Sequence, residues 1–270
     1  MNNKPRMKPK PAHLGPQYGK QFCDESVARA YYARPPYPGE LIDFLQGLIT
    51  ERPSRILELG CGSGDLTISM ARRVDHLDAV DLSAAMLAIA YARPGADRAY
   101  IHWHQIPAEA FQSELAYNLV VAGASLHWMD WQTLFPKIAA HLAPDGRVVI
   151  ANRSVVGQPW DDDVRRIIRC YSTNLDYEPY DLIAELADRD LFFEIGRMTT
   201  IPVPFEQSLD DYVESFHSSN GLSRERMAPV AASEFDQKVR QIAGPYVVDG
   251  QVKGQVVGRL VWGWPVKSGG

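Results

Sequence analysis

The sequence predicts an α/β fold built around a mostly parallel β-sheet. A short apolar run at residues 56–59 has the length of a buried strand, and apolar residues recur with a helical period from Leu66 onward. Glycines at alternate positions separate the two, as in a tight loop between a strand and a helix. Strand and helix patterns then alternate as far as residue 151, which is typical of parallel strands joined by right-handed crossovers.

The length and composition favour one large α/β domain with an inserted cap. The chain has 270 residues, 28 of them basic and 33 acidic, and its net charge of −5 does not favour a nucleic-acid partner. No apolar run reaches the length of a membrane span. The cysteines Cys23, Cys61 and Cys170 are too widely spaced for a disulfide framework or a zinc site, so we expect a cytoplasmic protein.

Composition and pattern divide the chain into four segments. Residues 1–21 are rich in proline and lysine, which predicts a flexible tail; a solvated tail is favoured over an RNA-binding arm. Residues 22–152 form the expected core, with lid helices at its start, and residues 153–245 the expected helical cap, which also contributes a core helix and strand. Residues 246–270 contain an alternating pattern that predicts a last core strand, antiparallel to its neighbours, and a tail.

The glycine loop predicts a ligand without phosphate. Gly60, Gly62 and Gly64 let a ligand approach the backbone at the carboxyl end of the first strand. A dinucleotide loop has a different glycine spacing, and a triphosphate loop carries Lys and then Ser or Thr after its last glycine. Here Asp65 follows instead, and a carboxylate in the first turn of a helix would repel a phosphate.

An acidic residue also ends the next predicted strand. Asp81 follows residues 77–80, and Ser83 is placed to cap the helix after it. The Asp81 carboxylate can accept hydrogen bonds from the hydroxyls of a ribose. A carboxylate at this place serves a nicotinamide dinucleotide as well as any other adenosine compound, so both ligand classes remain open on this residue alone.

Together these two motifs resemble the S-adenosylmethionine site of class I methyltransferases. They read Glu-Leu-Gly-Cys-Gly-Ser-Gly at residues 58–64 and Val-Asp-Leu-Ser-Ala-Ala-Met at residues 80–86. The resemblance implies a Rossmann-like fold whose sheet has seven mostly parallel strands and an antiparallel C-terminal strand, with a helical cap. It also implies that the cofactor is bound by Glu58, Gly60, Cys61, Gly62, Gly64, Asp81, Leu82 and Met86.

The segment before the glycine loop carries the resemblance further. Residues 31–38, Tyr-Tyr-Ala-Arg-Pro-Pro-Tyr-Pro, resemble the type 11 methyltransferases of the trans-aconitate-like branch, in which this segment folds over the cofactor. The resemblance implies that Arg34 pairs with the methionine carboxylate and that Tyr31 and Tyr37 wall the acceptor pocket. The alternative is that Arg34 pairs with a surface acid and the tyrosines only fill the core.

Residues 105–110, Gln-Ile-Pro-Ala-Glu-Ala, resemble the family's Pro-Ala-Glu segment. This implies that Ala108 and Glu109 lie at the adenine edge. Many relatives carry an acid where Pro107 stands, so backbone groups or Glu109 are left to bind the adenine amine. Ala122, at the end of the fourth predicted strand, completes the expected cofactor contacts.

Residues 123–130 resemble the family's Ala-x-His-Trp-x-Asp sequence. The resemblance implies that His127 lies where the methyl is delivered, as a candidate general base, and that Trp128 faces the acceptor. The alternative is that His127 only holds its loop. The cap segment 208–218 resembles the same branch; its His217 either faces the acceptor or is structural.

A metal site is not predicted. Strand alternation places His102 and His104 on one face, but a third ligand is not evident, and the polarity of an edge strand explains the pair.

We therefore expect an S-adenosylmethionine-dependent methyltransferase that acts on oxygen or nitrogen of a small-molecule acceptor, with no membrane or nucleic-acid partner. The oligomeric state stays open. The alternatives are a nicotinamide-dependent reductase, and a cofactor-binding protein or cyclase that transfers no methyl group.

Overall fold

A computed structural model of the chain describes residues 9–266. At its centre, a mixed sheet of eight strands runs in the order β3-β2-β1-β4-β5-β8-β6, with β7 also paired to β8. The first five strands are mutually parallel, and β8 is antiparallel to its neighbours. The strands are β1 (Arg55–Leu59), β2 (His76–Asp81), β3 (Ile101–Gln105), β4 (Tyr117–Gly123), β5 (Leu142–Val156), β6 (Phe192–Thr199), β7 (Val203–Ser208) and β8 (Gln251–Pro265).

The strands β6 and β7 lie on the same side of β8. Strand β6 pairs with residues 259–265 of β8 and β7 with residues 251–256, while β5 occupies the opposite side. The described sheet therefore has the seven strand positions expected from the sequence, and its edge position is divided between two short strands. The antiparallel C-terminal strand is confirmed.

Helices cover both faces of the sheet and form the cap. They are α1 (Pro16–Gly19), α2 (Glu25–Ala30), α3 (Gly39–Gly47), α4 (Asp65–Met70), α5 (Ala84–Tyr91), α6 (Trp131–His141), α7 (Asp161–Tyr171), α8 (Leu182–Ala187), α9 (Leu209–His217) and α10 (Pro229–Ala243). Within residues 9–266, none of the helices combines the length and apolarity that crossing a membrane requires.

Alternate residues of β1 serve opposite faces of the sheet. Leu57 and Leu59 belong to an apolar cluster that includes Phe135 of α6, whereas Ile56 packs in a second cluster with Leu66 of α4. Side chains of a strand alternate between faces, so Glu58 shares the α4 side with Ile56. The sheet thus has a core on each face, and the glycine loop emerges between them.

Parallel pairing brings the carboxyl-terminal ends of β1, β2 and β4 together on one side of the sheet. Leu57 of β1 pairs with Asp78 of β2 and with Val120 of β4. The loop after β1 is then held against β2, because the backbone N–H groups of Gly60 and Cys61 donate to the carbonyl of Val80 at 2.8 and 3.0 Å. The loop and the end of β2 therefore form one continuous wall.

The helices α7, α9 and α10 pack together in the cap. Their shared cluster contains Trp160, Val164, Tyr212 and Phe235. Trp160 also donates through its indole N–H to the Tyr212 hydroxyl at 2.9 Å. The helical cap expected from the sequence therefore has an apolar core of its own.

The prediction of a flexible tail over residues 1–21 is wrong for its described part, residues 9–21. Leu14 packs in the central apolar cluster, and His13 and Gln21 are also buried. The Gln21 side chain accepts the backbone N–H of Gly221 in the cap at 2.9 Å. Composition misled here because a few buried contacts outweigh the Pro and Lys content. The rest of the predicted N-terminal tail, residues 1–8, and the last residues of the predicted C-terminal tail, residues 267–270, lie outside the described residues.

Candidate active site

A cavity opens at the carboxyl ends of β1, β2 and β4. The glycine loop forms its floor, the turn after β3 one side, and the segment before β1 covers it. Most of the residues predicted for the site line this cavity: Tyr31, Arg34, Tyr37, Glu58, Gly60, Cys61, Gly62, Asp81, Leu82, Met86, Ala108, Glu109 and Trp128. A ligand site at this edge is the usual arrangement for an open parallel sheet.

The three glycines of the loop have different reasons to be glycine. All have positive φ, at +70° for Gly60, +54° for Gly62 and +78° for Gly64. A Cβ on Gly60 would lie 2.5 Å from the Cβ of Ser125, and one on Gly64 would lie 2.9 Å from the Trp103 ring. A Cβ on Gly62 would meet only the Tyr31 ring, at 3.9 Å. Gly60 and Gly64 are therefore required by packing, while Gly62 faces open cavity.

Asp81 is fixed at the end of β2 by two backbone donors. Its carboxylate accepts the N–H of Gly62 at 2.8 Å through one oxygen and the N–H of Ser83 at 2.8 Å through the other. Burial raises the pKa of Asp81, and these two hydrogen bonds oppose the rise. Each carboxylate oxygen has a second lone pair, so Asp81 can still accept from a ligand in the cavity.

Glu58 is buried beneath the loop, with 2% of its surface exposed. It accepts the Thr67 hydroxyl of α4 at 2.5 Å. Burial raises the pKa of Glu58 to about 8, the Thr67 hydrogen bond opposes this, and the charges of Asp65 and Asp81 add to it. Glu58 is therefore mostly protonated at pH 7, and a cation in the cavity would favour its ionised form.

Asp65 begins α4, as expected, but two arginines bind its carboxylate. One oxygen accepts from Arg93, and the other accepts from Nη2 of Arg153 at 2.7 Å. The Arg153 guanidinium lies over the Tyr37 ring, 4.1 Å from its centroid. The expectation that Asp65 repels anions is therefore not met, because its charge is more than balanced by two cations.

Arg34 connects the segment before β1 to the cap. Its Nε and Nη2 donate to the hydroxyl and carbonyl oxygens of Ser218, both at 2.7 Å, and its guanidinium lies 4.2 Å from the centroid of the Tyr31 ring. The alternative in which Arg34 pairs with a surface acid is thus not seen. Arg34 lines the cavity with its charge facing neutral partners.

Sequence relatives agree with this geometry. Residues 56–146 match the family model described as a methyltransferase domain. The chain is 32% identical over 133 residues to malonyl-[acyl-carrier protein] O-methyltransferase of Bacillus cereus, in a match that spans 47% of this chain and only about half, 49%, of that enzyme. It is 30% identical over 220 residues to trans-aconitate 2-methyltransferase of Yersinia pseudotuberculosis, spanning 72% of this chain and 79% of that enzyme. The chain belongs to the class I methyltransferases.

Solved structures share the fold of this methyltransferase. A protein from Anaeromyxobacter dehalogenans named as a candidate type II methyltransferase superposes with a TM-score of 0.59 at 20% identity, over 86% of this chain and 97% of that one. The YcgJ protein of Bacillus subtilis superposes with a TM-score of 0.50 at 15% identity, over 85% of this chain and 99% of that one. The alternatives of a reductase or a binding protein without methyl transfer find no support among these relatives.

The turn after β3 also lies at the methyltransferase cavity. Ala108 and Glu109 lie in a short 3₁₀ helix that begins after Pro107. The Glu109 carboxylate accepts the backbone N–H of Asp130 at 2.6 Å, so it holds the loop after β4. Glu109 therefore links the turn after β3 to the loop after β4 at the cavity wall.

Four predicted site residues are not on the cavity wall: Gly64, Ala122, His127 and His217. Gly64 packs against Trp103 and Ala122 lies in the central core. The His127 ring packs against the Trp128 ring, with 4.6 Å between the two ring centroids. Burial lowers the pKa of His127 to about 3, and the charges of Lys10, Arg34 and His13 contribute. A neutral imidazole with so low a pKa is a weak base.

His217 is placed in the interior of the cap and not at the cavity. One ring nitrogen lies 2.7 Å from the Leu222 carbonyl and the other 2.7 Å from the Asp236 carboxylate. The ring is fully buried. His217 therefore has the structural position that was the alternative, and its ring does not face the cavity.

The histidines of β3 lie next to a buried carboxylate, that of Asp78. Nε2 of His104 and Nε2 of His76 each lie 2.6 Å from the carboxylate of Asp78, and the Tyr117 hydroxyl donates to the same carboxylate at 2.6 Å. His102 stacks on His76, with 4.4 Å between ring centroids. Strand β3 lies at the edge of the described sheet and His102 is exposed, as the edge-strand explanation requires, while His104 in addition shares the Asp78 carboxylate with His76.

The sequence reading missed several cavity residues of the methyltransferase. Asn152 and Arg153 line the cavity because β5 continues past the predicted strand end at residue 151. Gly19 belongs to the segment predicted as a flexible tail, and Phe22 lies directly after it; both also line the cavity. The one available signal was the pair of polar residues that directly follows a buried apolar run, the position at which ligand residues cluster in such sheets.

Proposed function

We propose that this methyltransferase binds S-adenosylmethionine in the cavity and transfers its methyl group to oxygen or nitrogen of a small-molecule acceptor. The observation that carries the proposal is the pairing of Asp81 with Gly62. A carboxylate fixed by two backbone N–H groups stands beside the one loop glycine whose Cβ position opens into the cavity. This arrangement accommodates a ribose diol and leaves room for a ligand across the loop.

The residues present fit the parts of this cofactor. Asp81 can accept from the ribose hydroxyls, and Leu82 and Met86 provide apolar surface at the same end. Glu58, whose pKa is raised to about 8 mainly by burial, can ionise beside an ammonium group. Arg153 supplies a cation to the same cavity. None of these roles requires a phosphate.

The chain's contribution to the reaction is binding, alignment and exclusion of water. When bound, the sulfonium of this cofactor supplies a methyl group that is already electrophilic. The Tyr31 and Tyr37 rings cover the loop, and they align the reacting groups and keep the site dry. We assign no proton transfer to His127, because its lowered pKa makes it a weak base. An acceptor that is already nucleophilic needs no base.

Transfer of a labelled methyl group tests the proposal. The purified chain is incubated with methyl-labelled S-adenosylmethionine and a panel of acids, phenols and amines, and label is sought in each product. Trans-aconitate is the first acid to include, because a relative that shares 30% identity over 220 residues is named for it. We expect label in at least one product. Binding of the cofactor without transfer to any class of acceptor would contradict the proposal.

A further inference from the structure

We propose that Arg153 binds a carboxylate of a ligand in the cavity, through the guanidinium nitrogen that its protein partners leave unused. The inference rests on the proposed function. The chemistry recognised is a carboxylate, which could belong to the amino-acid part of the cofactor or to the acceptor. The two sources are separated by the experiment below.

Arg153 is buried but incompletely paired. Its side chain is 8% exposed, and it lines the cavity. Nη2 donates to Asp65, whereas Nη1 is buried and has no hydrogen-bond partner among the residues that the structure describes. Leaving a charged donor unsatisfied in the interior is costly, so a polar group of a ligand is the expected partner.

The position of Arg153 is fixed before any ligand binds. The guanidinium lies 4.1 Å from the centroid of Tyr37, and the carboxylate of Asp65 holds its other end. A guanidinium held on two sides loses little freedom when it binds a planar carboxylate. A Cβ on Gly123, the last residue of β4, would lie 3.0 Å from the Tyr37 hydroxyl. Because the Arg153 guanidinium stacks on the Tyr37 ring, Arg153 also lies close to the end of β4.

The charges around Arg153 leave an excess of positive charge. Asp65 is shared between Arg93 and Arg153, and Arg34 is bonded to the neutral groups of Ser218. Two further carboxyls line the cavity near the loop: Glu58, which is mostly protonated at pH 7 because burial raises its pKa to about 8, and Asp81, whose carboxylate accepts the backbone N–H groups of Gly62 and Ser83. The three arginines Arg34, Arg93 and Arg153 thus outnumber the two carboxylates Asp65 and Asp81 around the loop. A ligand carboxylate would therefore balance the local charge.

Arg34 is less suited to this role than Arg153. Two of its nitrogens already donate to Ser218 at 2.7 Å, so binding a carboxylate bidentately through them would break the link to the cap. We therefore assign the carboxylate to Arg153 instead of the Arg34 expected from the sequence.

The first arm of the test compares two ligands that differ in the amino-acid part. S-adenosylhomocysteine carries the carboxylate and 5′-methylthioadenosine lacks it. We measure both affinities by isothermal titration in the wild type, Arg153→Gln and Arg93→Gln. Arg93→Gln is the matched control, because it removes the other arginine of the same Asp65. If the cofactor is the source, Arg153→Gln weakens S-adenosylhomocysteine about tenfold or more and leaves methylthioadenosine unchanged.

The second arm tests the acceptor as the source. The wild type and Arg153→Gln are saturated with S-adenosylhomocysteine and titrated with di- and tricarboxylic acids and with their amides. If the acceptor is the source, the wild-type complex binds an acid but not its amide, and Arg153→Gln loses this binding while its affinity for S-adenosylhomocysteine is kept.

Two results would overturn the inference. In one, Arg153→Gln weakens both adenosine ligands equally; in the other, it changes neither S-adenosylhomocysteine nor acid binding. Arg153→Lys is measured in parallel and serves in place of the glutamine variant if that variant does not fold. Lysine keeps the charge but not the planar fork, so partial affinity is expected. A wild type that does not bind S-adenosylhomocysteine at all would instead contradict the proposed function.

Discussion

The carboxylate of Asp81 accepts the backbone N–H of Gly62 across 2.8 Å. This bond ties the end of β2 to the middle of the loop after β1. Gly62 has φ of +54°, and a Cβ added to it would meet only the Tyr31 ring, at 3.9 Å. The same carboxylate thus shapes the loop and lies on the cavity wall, so the shape of the site and its chemistry are linked.

Substitutions at two glycines of the loop should affect folding and ligand binding separately. Gly60→Ala should destabilise the fold by about 3 kcal/mol, because the new Cβ combines positive φ with an overlap onto Ser125. Gly62→Ala should cost only about 1 kcal/mol, from φ alone, yet abolish binding of S-adenosylhomocysteine. Urea unfolding and isothermal titration measure the two effects. A Gly62→Ala variant that binds normally would show that the ligand does not cross the loop there.

Glu58 makes the stability of the free protein depend on pH. Burial raises its pKa from an ordinary value of 4.5 to about 8, so the folded state binds a proton that the unfolded state releases. Stability is then fully present below pH 4.5 and declines as the pH rises toward 8. Glu58→Gln should remove this decline and be more stable than wild type at pH 8 by on the order of 3 kcal/mol. Urea unfolding at pH 5 and pH 8 checks this; parallel profiles would contradict it.

Asp78 should have the opposite pH dependence. Burial alone would raise its pKa, but hydrogen bonds from Tyr117, His104 and His76 outweigh this and lower it. Its contribution is present above the unfolded pKa and is lost as the pH falls through the folded value. Asp78→Asn should destabilise the protein by about 2 kcal/mol at pH 7 and weaken the acid dependence. The exposed Asp97→Asn is the control in chemical unfolding, and equal effects of the two would refute the prediction.

His127 should be dispensable for proton transfer. Its pKa is lowered to about 3, chiefly by burial, so it does not change protonation between pH 6 and pH 8. His127→Asn should keep the wild-type pH profile of kcat in that range. General bases contribute roughly a hundredfold or more to rate, so a loss of that size at unchanged KM would restore His127 as the base.

The local motifs of the site were predictable from the sequence. Gly60, Gly62 and Asp81 belong to strand, loop and helix segments that are contiguous in the chain, and parallel pairing of β1 with β2 necessarily brings them together. Ala108 and Glu109 follow the same rule at the end of β3. Their cavity positions depend on the sheet topology, which strand and helix alternation already determines.

The remaining features depend on contacts between distant segments. Arg153 meets Asp65 across 88 positions of sequence, and the meeting required the extra length of β5. His217 is a candidate site residue in the sequence, but its contact with Asp236 of α10 orients the ring into the cap. Residues 9–21 are likewise held in place by contacts with cap and core residues that lie far along the chain. Periodicity and composition do not reveal which residues will be partners when they lie so far apart in the sequence.

Isothermal titration of S-adenosylhomocysteine most directly tests whether the cavity beside Asp81 and Gly62 binds an adenosine cofactor. The wild type, Asp81→Ala and the exposed control Asp97→Ala are titrated under the same conditions, and NADH is titrated into the wild type. We expect one site in the wild type and the control, binding about tenfold or more weaker in Asp81→Ala, and no binding of NADH. Binding of NADH without S-adenosylhomocysteine, or equal affinity in wild type and Asp81→Ala, would contradict that claim.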